Sequence, residues 1–323
     1  MPNWFACLVS ASVLSVIAST ALAQSQPAAK PESAPTAVTG ITVEGASKPK
    51  VIQQQAHSFV QSYAAVPNAE VDQIARWHDP VCVQTVGLPD DQSAIIKARI
   101  DNVAVAVGLP KARSGCLANV EIVFTEQPQA IMDNVAKRRE QLLGYYHRHD
   151  RDRLKTVTHP IQAWYVTATL GGGGSDAAAF YGLSGMQSSK DVVDDPDNPP
   201  PTSCGDNPHF GVCLTSALRN VFMVVDTKAL KGKDLGLLSD YIVMLTLSQP
   251  KSLDVCGSLT SVIDLLAKSC TAGRDVPDGL TPGDAAYLTA LYSADLEATK
   301  AKEQNDIAVR MARILVKASA GGR

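Results

Sequence analysis

Aromatic residues are scarce in this chain of 323 residues, at 5% of the total. That leaves little material for a surface that stacks on nucleic-acid bases. Positive charge is not in excess either: 29 basic residues stand against 32 acidic ones, for a net charge of −3. No basic stripe stands out, so nucleic acid is not an expected partner. After the N-terminal run, no stretch is long and apolar enough to cross a bilayer, which takes roughly 20 residues.

The familiar linear signatures of catalysis are missing too. There is no H-E-x-x-H, and no other His/Glu pair falls at i, i+4 on a predicted helix. There is no G-x-S-x-G; "YGLSGM" around Ser184 is not that motif. A P-loop, a G-x-G-x-x-G and a C-x-x-C are all absent. Two S-x-x-K matches, Ser47 to Lys50 and Ser248 to Lys251, carry Pro at the third position and cannot lie inside a helix. No catalytic residue and no cofactor is therefore expected from motif reading.

What is present begins with an address. Phe5 to Ile17 is almost wholly apolar and is followed by Ala21-Leu22-Ala23, an A-x-A cleavage signal. Residues 1–23 read as a signal peptide and the mature chain is expected to start at Gln24, in the periplasm or the medium. The competing reading is an uncleaved membrane anchor. Residues 24–37, rich in Pro, Ala and Ser, read as a flexible leader. Residues 38–320 read as one globular domain interrupted by a long irregular loop, 171–213.

Export changes the meaning of the cysteines. Six remain after Cys7 is removed, an even number in an oxidising compartment. Pairing sequence neighbours gives Cys82–Cys116, Cys204–Cys213 and Cys256–Cys270. A zinc site is the rival, but the spacings do not supply the usual ligand pairs.

The pattern of elements points to an α/β (α+β) fold, with a mixed sheet, packed helices and a helical C-terminal part. Pro49 opens a helix with Val51, Ile52, Phe59, Val60 and Tyr63 on one face. Val81 to Gly87 reads as a strand. Asp90 or Asp91 is placed to cap a helix whose stripe runs through Ile95, Ile96, Ile100, Val103, Ala104 and Val107 to Gly108. Val120, Ile122 and Phe124 alternate in a second strand, and Pro128 starts another helix. Ile161 to Leu170 is expected as a strand at the sheet edge, and Asn220 to Asp226 as a buried one. Helices are expected from Leu238 up to the stop at Pro250, and over Leu259 to Ala267. A further helix follows a capping box at Thr281 to Asp284, and the last carries Ile307, Met311 and Leu315.

Two weak metal candidates emerge. His147, His149, Asp150 and Asp152 lie together in "YYHRHDRDR", a pattern that holds a cation only if the segment is extended. The alternative is a solvated turn whose arginines repel a cation. Asp191, Asp194, Asp195 and Asp197 have the oxygens that suit calcium, but not the spacing of an EF-hand. Of the other histidines, His57 reads as solvent-facing or capping, His78 beside Trp77 and Pro80 as a polar contact at a strand entrance, and His209 as surface-placed; His159 has no separate reading.

The segments "ARWHDPVCVQTVGLP", "CLANVEIVFTEQPQ", "LSDYIVMLTLSQ" and "DAAYLTALY" resemble an uncharacterised family of exported bacterial proteins of several hundred residues. The same order of elements is similar to a zincin metallopeptidase, with three layers and a central helix after the buried strand. In a zincin that helix holds H-E-x-x-H. Here the i, i+4 pairs are Asp240/Met244 and Tyr241/Leu245, so the resemblance implies a helix that has no zinc ligands and serves as core. The function expected is a non-catalytic envelope protein that binds a ligand or a protein partner. The alternative is a hydrolase or peptidase whose site leaves no linear motif.

Overall fold

The computed structural model describes residues 49–65, 73–144, 152–170, 215–254, 256–267, 270, 276–294 and 300–321. All of them belong to one compact unit, Val43–Arg323; a second unit, Met1–Thr42, lies outside the described residues, as do the signal-peptide and leader readings.

The fold is α/β. A four-stranded mixed sheet is built from β1 (Val83–Val86), β2 (Val120–Thr125), β3 (Ile161–Leu170) and β4 (Thr215–Asp226), in the order β1-β2-β4-β3. β1, β2 and β4 run parallel, and β3 is antiparallel on β4. The expected edge position of β3 is therefore correct among the described residues. β4 is longer than its apolar run because Thr215 to Leu218 continue the ladder with β3 past a bulge at Val166/Thr167. Polar Thr215, Ser216 and Arg219 hid that extension from an apolar pattern search.

β1 is shorter than expected at its start. Cys82 is engaged in a disulfide; its N–H donates to Asn119 Oδ1, and its carbonyl accepts from both Asn119 N and Val120 N. Gly87 ends the strand at φ +87°, where a Cβ would lie 2.1 Å from the Phe124 carbonyl oxygen. Any side chain there would displace the neighbouring strand.

Helices cover both faces of the sheet. One face presents Val120, Ile122, Val221, Met223 and Ile161 to the main core. That core also takes the buried sides of α1 (Pro49–Tyr63), α2 (Asp90–Ala106), α4 (Leu235–Leu247), α5 (Pro282–Ser293) and α6 (Lys300–Gly321). The other face packs Trp164, Phe222 and Val224 against Met132 and Val135 of α3 (Pro128–Arg138) and the 3₁₀ turn Glu140–Leu143. The helix expected over Leu259 to Ala267 is only a 3₁₀ turn, Val262–Leu265. α2 also departs from expectation. Pro89 holds its N-cap position without a side-chain bond, and Asp90 and Asp91 sit in the first turn, where the helix dipole favours them.

α4 is the centre of the helical layer, and every residue from Leu238 to Leu247 is buried. A helix end in that position has no water for its last carbonyls. Side chains from elsewhere supply the donors instead. Trp77 Nε1 bonds Thr246 O at 2.7 Å, Tyr292 OH bonds Leu247 O at 2.7 Å, and Tyr165 OH bonds Leu245 O at 2.8 Å. Ser248 Oγ bonds Met244 O at 2.8 Å and is itself 3.1 Å from Tyr63 OH. With the serine hydrogen committed to Met244, Tyr63 is the donor of that pair. Burial pushes the Tyr63 and Tyr292 phenols up, which keeps them protonated donors.

Two disulfides are present among the described residues, Cys82–Cys116 and Cys256–Cys270, both as expected. Cys204 and Cys213 lie outside the described residues.

Two outcomes test this layout. Tyr292→Phe removes the donor to Leu247 O and should destabilise the chain by about 1–3 kcal/mol, read as a lower urea midpoint. Replacing Cys82 and Cys116 together by Ala should remove about 3–4 kcal/mol, and the wild type should show both bridges by peptide mapping under non-reducing conditions.

Candidate functional site

Of the four metal candidates, His147, His149 and Asp150 lie outside the described residues. Asp152 is described. Its side chain is exposed, and it pairs with Lys155 Nζ at 3.1 Å, three residues on along the same turn. Among the described residues, no group of three or more His, Cys, Asp or Glu is arranged to hold a metal ion. Asp191, Asp194, Asp195, Asp197 and His209 also lie outside. His57 is half-buried on α1. His159 bonds Thr158 Oγ1 at 2.8 Å and Asp254 Oδ2 at 3.1 Å, which ties the start of β3 to the segment after α4.

Asp240, the one acid on the central helix, is also accounted for. It accepts from Arg99 Nε of α2 and from Leu280 N at 2.8 Å. A Cβ on Gly279 would come within 2.8 Å of its Oδ2, so a glycine is needed for that close approach. The carboxylate links α4 to α2 and to the segment leading into α5, which is a joining role.

Asp284 does the same at the start of α5. It accepts from Ser261 Oγ at 2.6 Å, Val262 N at 2.8 Å and Thr281 N at 3.0 Å. The capping box expected at Thr281 is present, and a second one, Ser261 with Asp264, caps the 3₁₀ turn. Burial pushes the Asp284 carboxyl up, while the bonds from Ser261, Val262 and Thr281 pull it back down.

Among the described residues, unpartnered buried polar atoms lie around the core residues Tyr241, Thr246 and Tyr287 and around His78 and Ser216 at the start of β4. Residues 73–79 run alongside the start of β4. Ser216 N bonds Gln73 Oε1 at 3.0 Å, Leu218 N bonds Arg76 O at 2.9 Å, and Arg219 Nη1 bonds Asp79 Oδ2 at 2.9 Å. Arg76 is 2% exposed and its guanidinium reaches the fully buried Glu303 of α6 at 2.5 Å. It also bonds the Leu291 and Ala294 carbonyls at 2.6 and 3.2 Å. Glu303 completes the junction by accepting from Ile74 N at 2.8 Å.

His78 is the titratable group beside Ser216. Its imidazole is pushed below the ordinary value, chiefly by burial and then by the Arg76 guanidinium, with the Ser216 backbone and Asp79 pulling the other way. The buried atoms His78 Nε2, Ser216 Oγ and Asn220 Oδ1 have no hydrogen-bond partner among the described residues. Such groups usually find one, either water or ligand.

Sequence reading noted His78 within "ARWHDP" but gave it only a polar contact. Arg76, Glu303 and Ser216 were missed. Arg76 and Glu303 are separated by 227 residues, so no linear spacing marks the pair. Ser216 falls between the irregular loop expected over 171–213 and the strand expected from Asn220, and only pairing with β3 makes it part of a strand.

Comparison with protein-family models, with curated proteins and with solved structures finds no match for this chain.

Because His78 is depressed, the unfolded chain takes up a proton before the folded one does. Its contribution is complete above the unfolded value of about 6.5 and is lost as the pH falls toward the folded value. Urea midpoints measured from pH 8 to about pH 5 should fall, and His78→Asn should flatten that fall. An unchanged slope in the variant would remove His78 as its source. Glu303→Ala leaves Arg76 buried without its partner carboxylate and should destabilise by about 3–5 kcal/mol.

Proposed function

We propose that the chain is an exported, non-catalytic protein of the cell envelope, periplasmic or secreted, that binds a ligand or a protein partner. The observation that carries this reading is the burial of α4 on all sides. That helix follows the central strand β4, with an antiparallel strand at the sheet edge, as in the zincin order of elements. In a zincin the same helix offers ligands to a cleft. Here Leu238 to Leu247 are all buried, and Asp240 is joined to Arg99 and Leu280. Side chains committed to packing on every side leave no wall for a reaction site.

Two further observations support the reading. The pair of disulfides suits an oxidising compartment outside the cytoplasm. Among the described residues, no helix is long and apolar enough to cross a membrane. Ser216 Oγ and His78 Nε2, buried and without a hydrogen-bond partner among the described residues, lie near the start of β4, and polar groups beside a connection between strands are common binding elements. These groups support a recognition surface at that end of the sheet.

The test starts from protein exported by its own N-terminal segment and purified without a histidine tag. N-terminal sequencing should give Gln24 in the periplasm or medium, and metal analysis should give far less than one zinc per chain. Panels of peptide, ester and glycoside substrates should show no turnover. Stoichiometric zinc that disappears in a His147→Ala/His149→Ala variant would overturn the non-catalytic reading. Retention of full-length chain in the cytosol would overturn export.

A further inference from the structure

α2 is apolar on two sides. Its inner side, Ser93, Ile96, Ile100, Val103 and Ala104, is buried in the main core. Its outer side carries Ala94, Ile95, Ala98, Asn102, Val105 and Ala106, all exposed and none charged. Ile95 is 50% exposed and Val105 48%. A helix on the surface of a domain ordinarily turns charged residues outward. Here Lys97, Arg99 and Asp101 lie half-buried at the flanks. Arg99 is held by Asp240, and Asp101 faces Lys111 and Lys97.

The outer side has the spacing of a helix-packing seam. Ile95, Ala98, Asn102 and Val105 follow one another at intervals of three, four and three residues, which keeps them in line along the helix. Ala94 and Ala98 are small enough to let a second backbone approach closely. The charges at the two ends are opposite. Asp90 and Asp91 are exposed in the first turn, and Lys111 and Arg113 are exposed just beyond the last one.

We propose that this face of α2 is an interface at which the helix packs antiparallel against the same helix of a second copy of the chain. A two-fold axis near Ile100 sets Ile95 of one copy against Val105 of the other at both ends of the seam, with Ala98 opposite Asn102 between them. The same operation brings Asp90 and Asp91 toward Lys111 and Arg113 of the other copy, twice. A parallel arrangement would instead set acid against acid and base against base. An isologous contact of this kind closes on itself and ends at the dimer. Leu117, 90% exposed in the turn that joins α2 to β2, extends the apolar surface near the basic end. One helix pair buries less than the roughly 1,200–2,000 Å² of a standard interface, so association is expected in the micromolar range.

Sedimentation velocity on the exported, disulfide-bonded chain tests this, over a concentration series spanning the micromolar range. The wild type should pass from monomer to dimer. Ile95→Glu and Val105→Glu should each weaken the dimer by at least about tenfold. Both positions are half-exposed, so the urea midpoint of each variant should match the wild type and certify its fold. The orientation is tested by charge exchange. Asp90→Lys/Asp91→Lys and Lys111→Glu/Arg113→Glu should each self-associate poorly, whereas an equimolar mixture should restore the dimer. A wild type that stays monomeric throughout overturns the proposal, including the case in which another segment of the same chain covers α2. A dimer that both glutamate variants leave intact overturns it as well. Charge variants that self-associate as well as the mixture overturn the antiparallel pairing.

Discussion

The buried end of α4 is the constraint around which the helical layer is arranged. A helix can be buried on every side only if its terminal carbonyls meet donors, because desolvating an unpaired carbonyl costs as much as several packed methyl groups contribute. Here the donors come from Trp77 before β1, Tyr165 on β3, Ser248 just past the helix and Tyr292 on α5. Each is also a packing residue, so the hydrogen bonds fix where these elements lie relative to α4. The scarcity of aromatics takes on meaning in this light. Tyr63, Trp77, Tyr165 and Tyr292 sit where a large apolar body with one polar tip is needed.

A second set of polar joints works in the same way at longer range. Arg76 and Glu303 close α5 and α6 against the segment before β1, and Asp284 closes the 3₁₀ turn against the start of α5. Buried charges are expensive unless every lone pair and hydrogen is engaged. In both joints, backbone groups supplement the side-chain partner. The result is specificity of arrangement: α6 cannot slide along α1 or α5 without exposing Glu303 or stranding Arg76.

These joints account for nearly all of the acidic and basic groups that a reading of the interior would first suspect of chemistry. Asp240, Asp284, Arg76 and Glu303 are buried and ionisable, as catalytic groups often are. Their partners show each to be a connection between elements. Among what is left over are the groups around His78 and Ser216 at the start of β4, together with the uncharged outer side of α2. One is short of hydrogen-bond partners and the other is short of charge, and those two deficits are where binding readings find support.

Local chemistry was legible in the sequence wherever the signal lay within a few residues. Pro49, Pro128 and the Thr281 to Asp284 box marked helix starts, the alternation of Val120, Ile122 and Phe124 marked a strand, and neighbouring cysteines gave two bridges. The burial of α4 followed from its lack of any polar side, and the edge position of β3 from its place in the order. Errors arose where tertiary contacts override local pattern: β4 begins six residues before its pairing with β2 because β3 pairs with it, and Leu259 to Ala267 is held as a 3₁₀ turn by Asp264 and Asp284. Sequence alone determined the elements, because periodicity and capping act within one or two turns. Tertiary structure decided which polar residues meet, because Arg76 and Glu303, or Tyr165 and Leu245, come together only after the chain between them has folded.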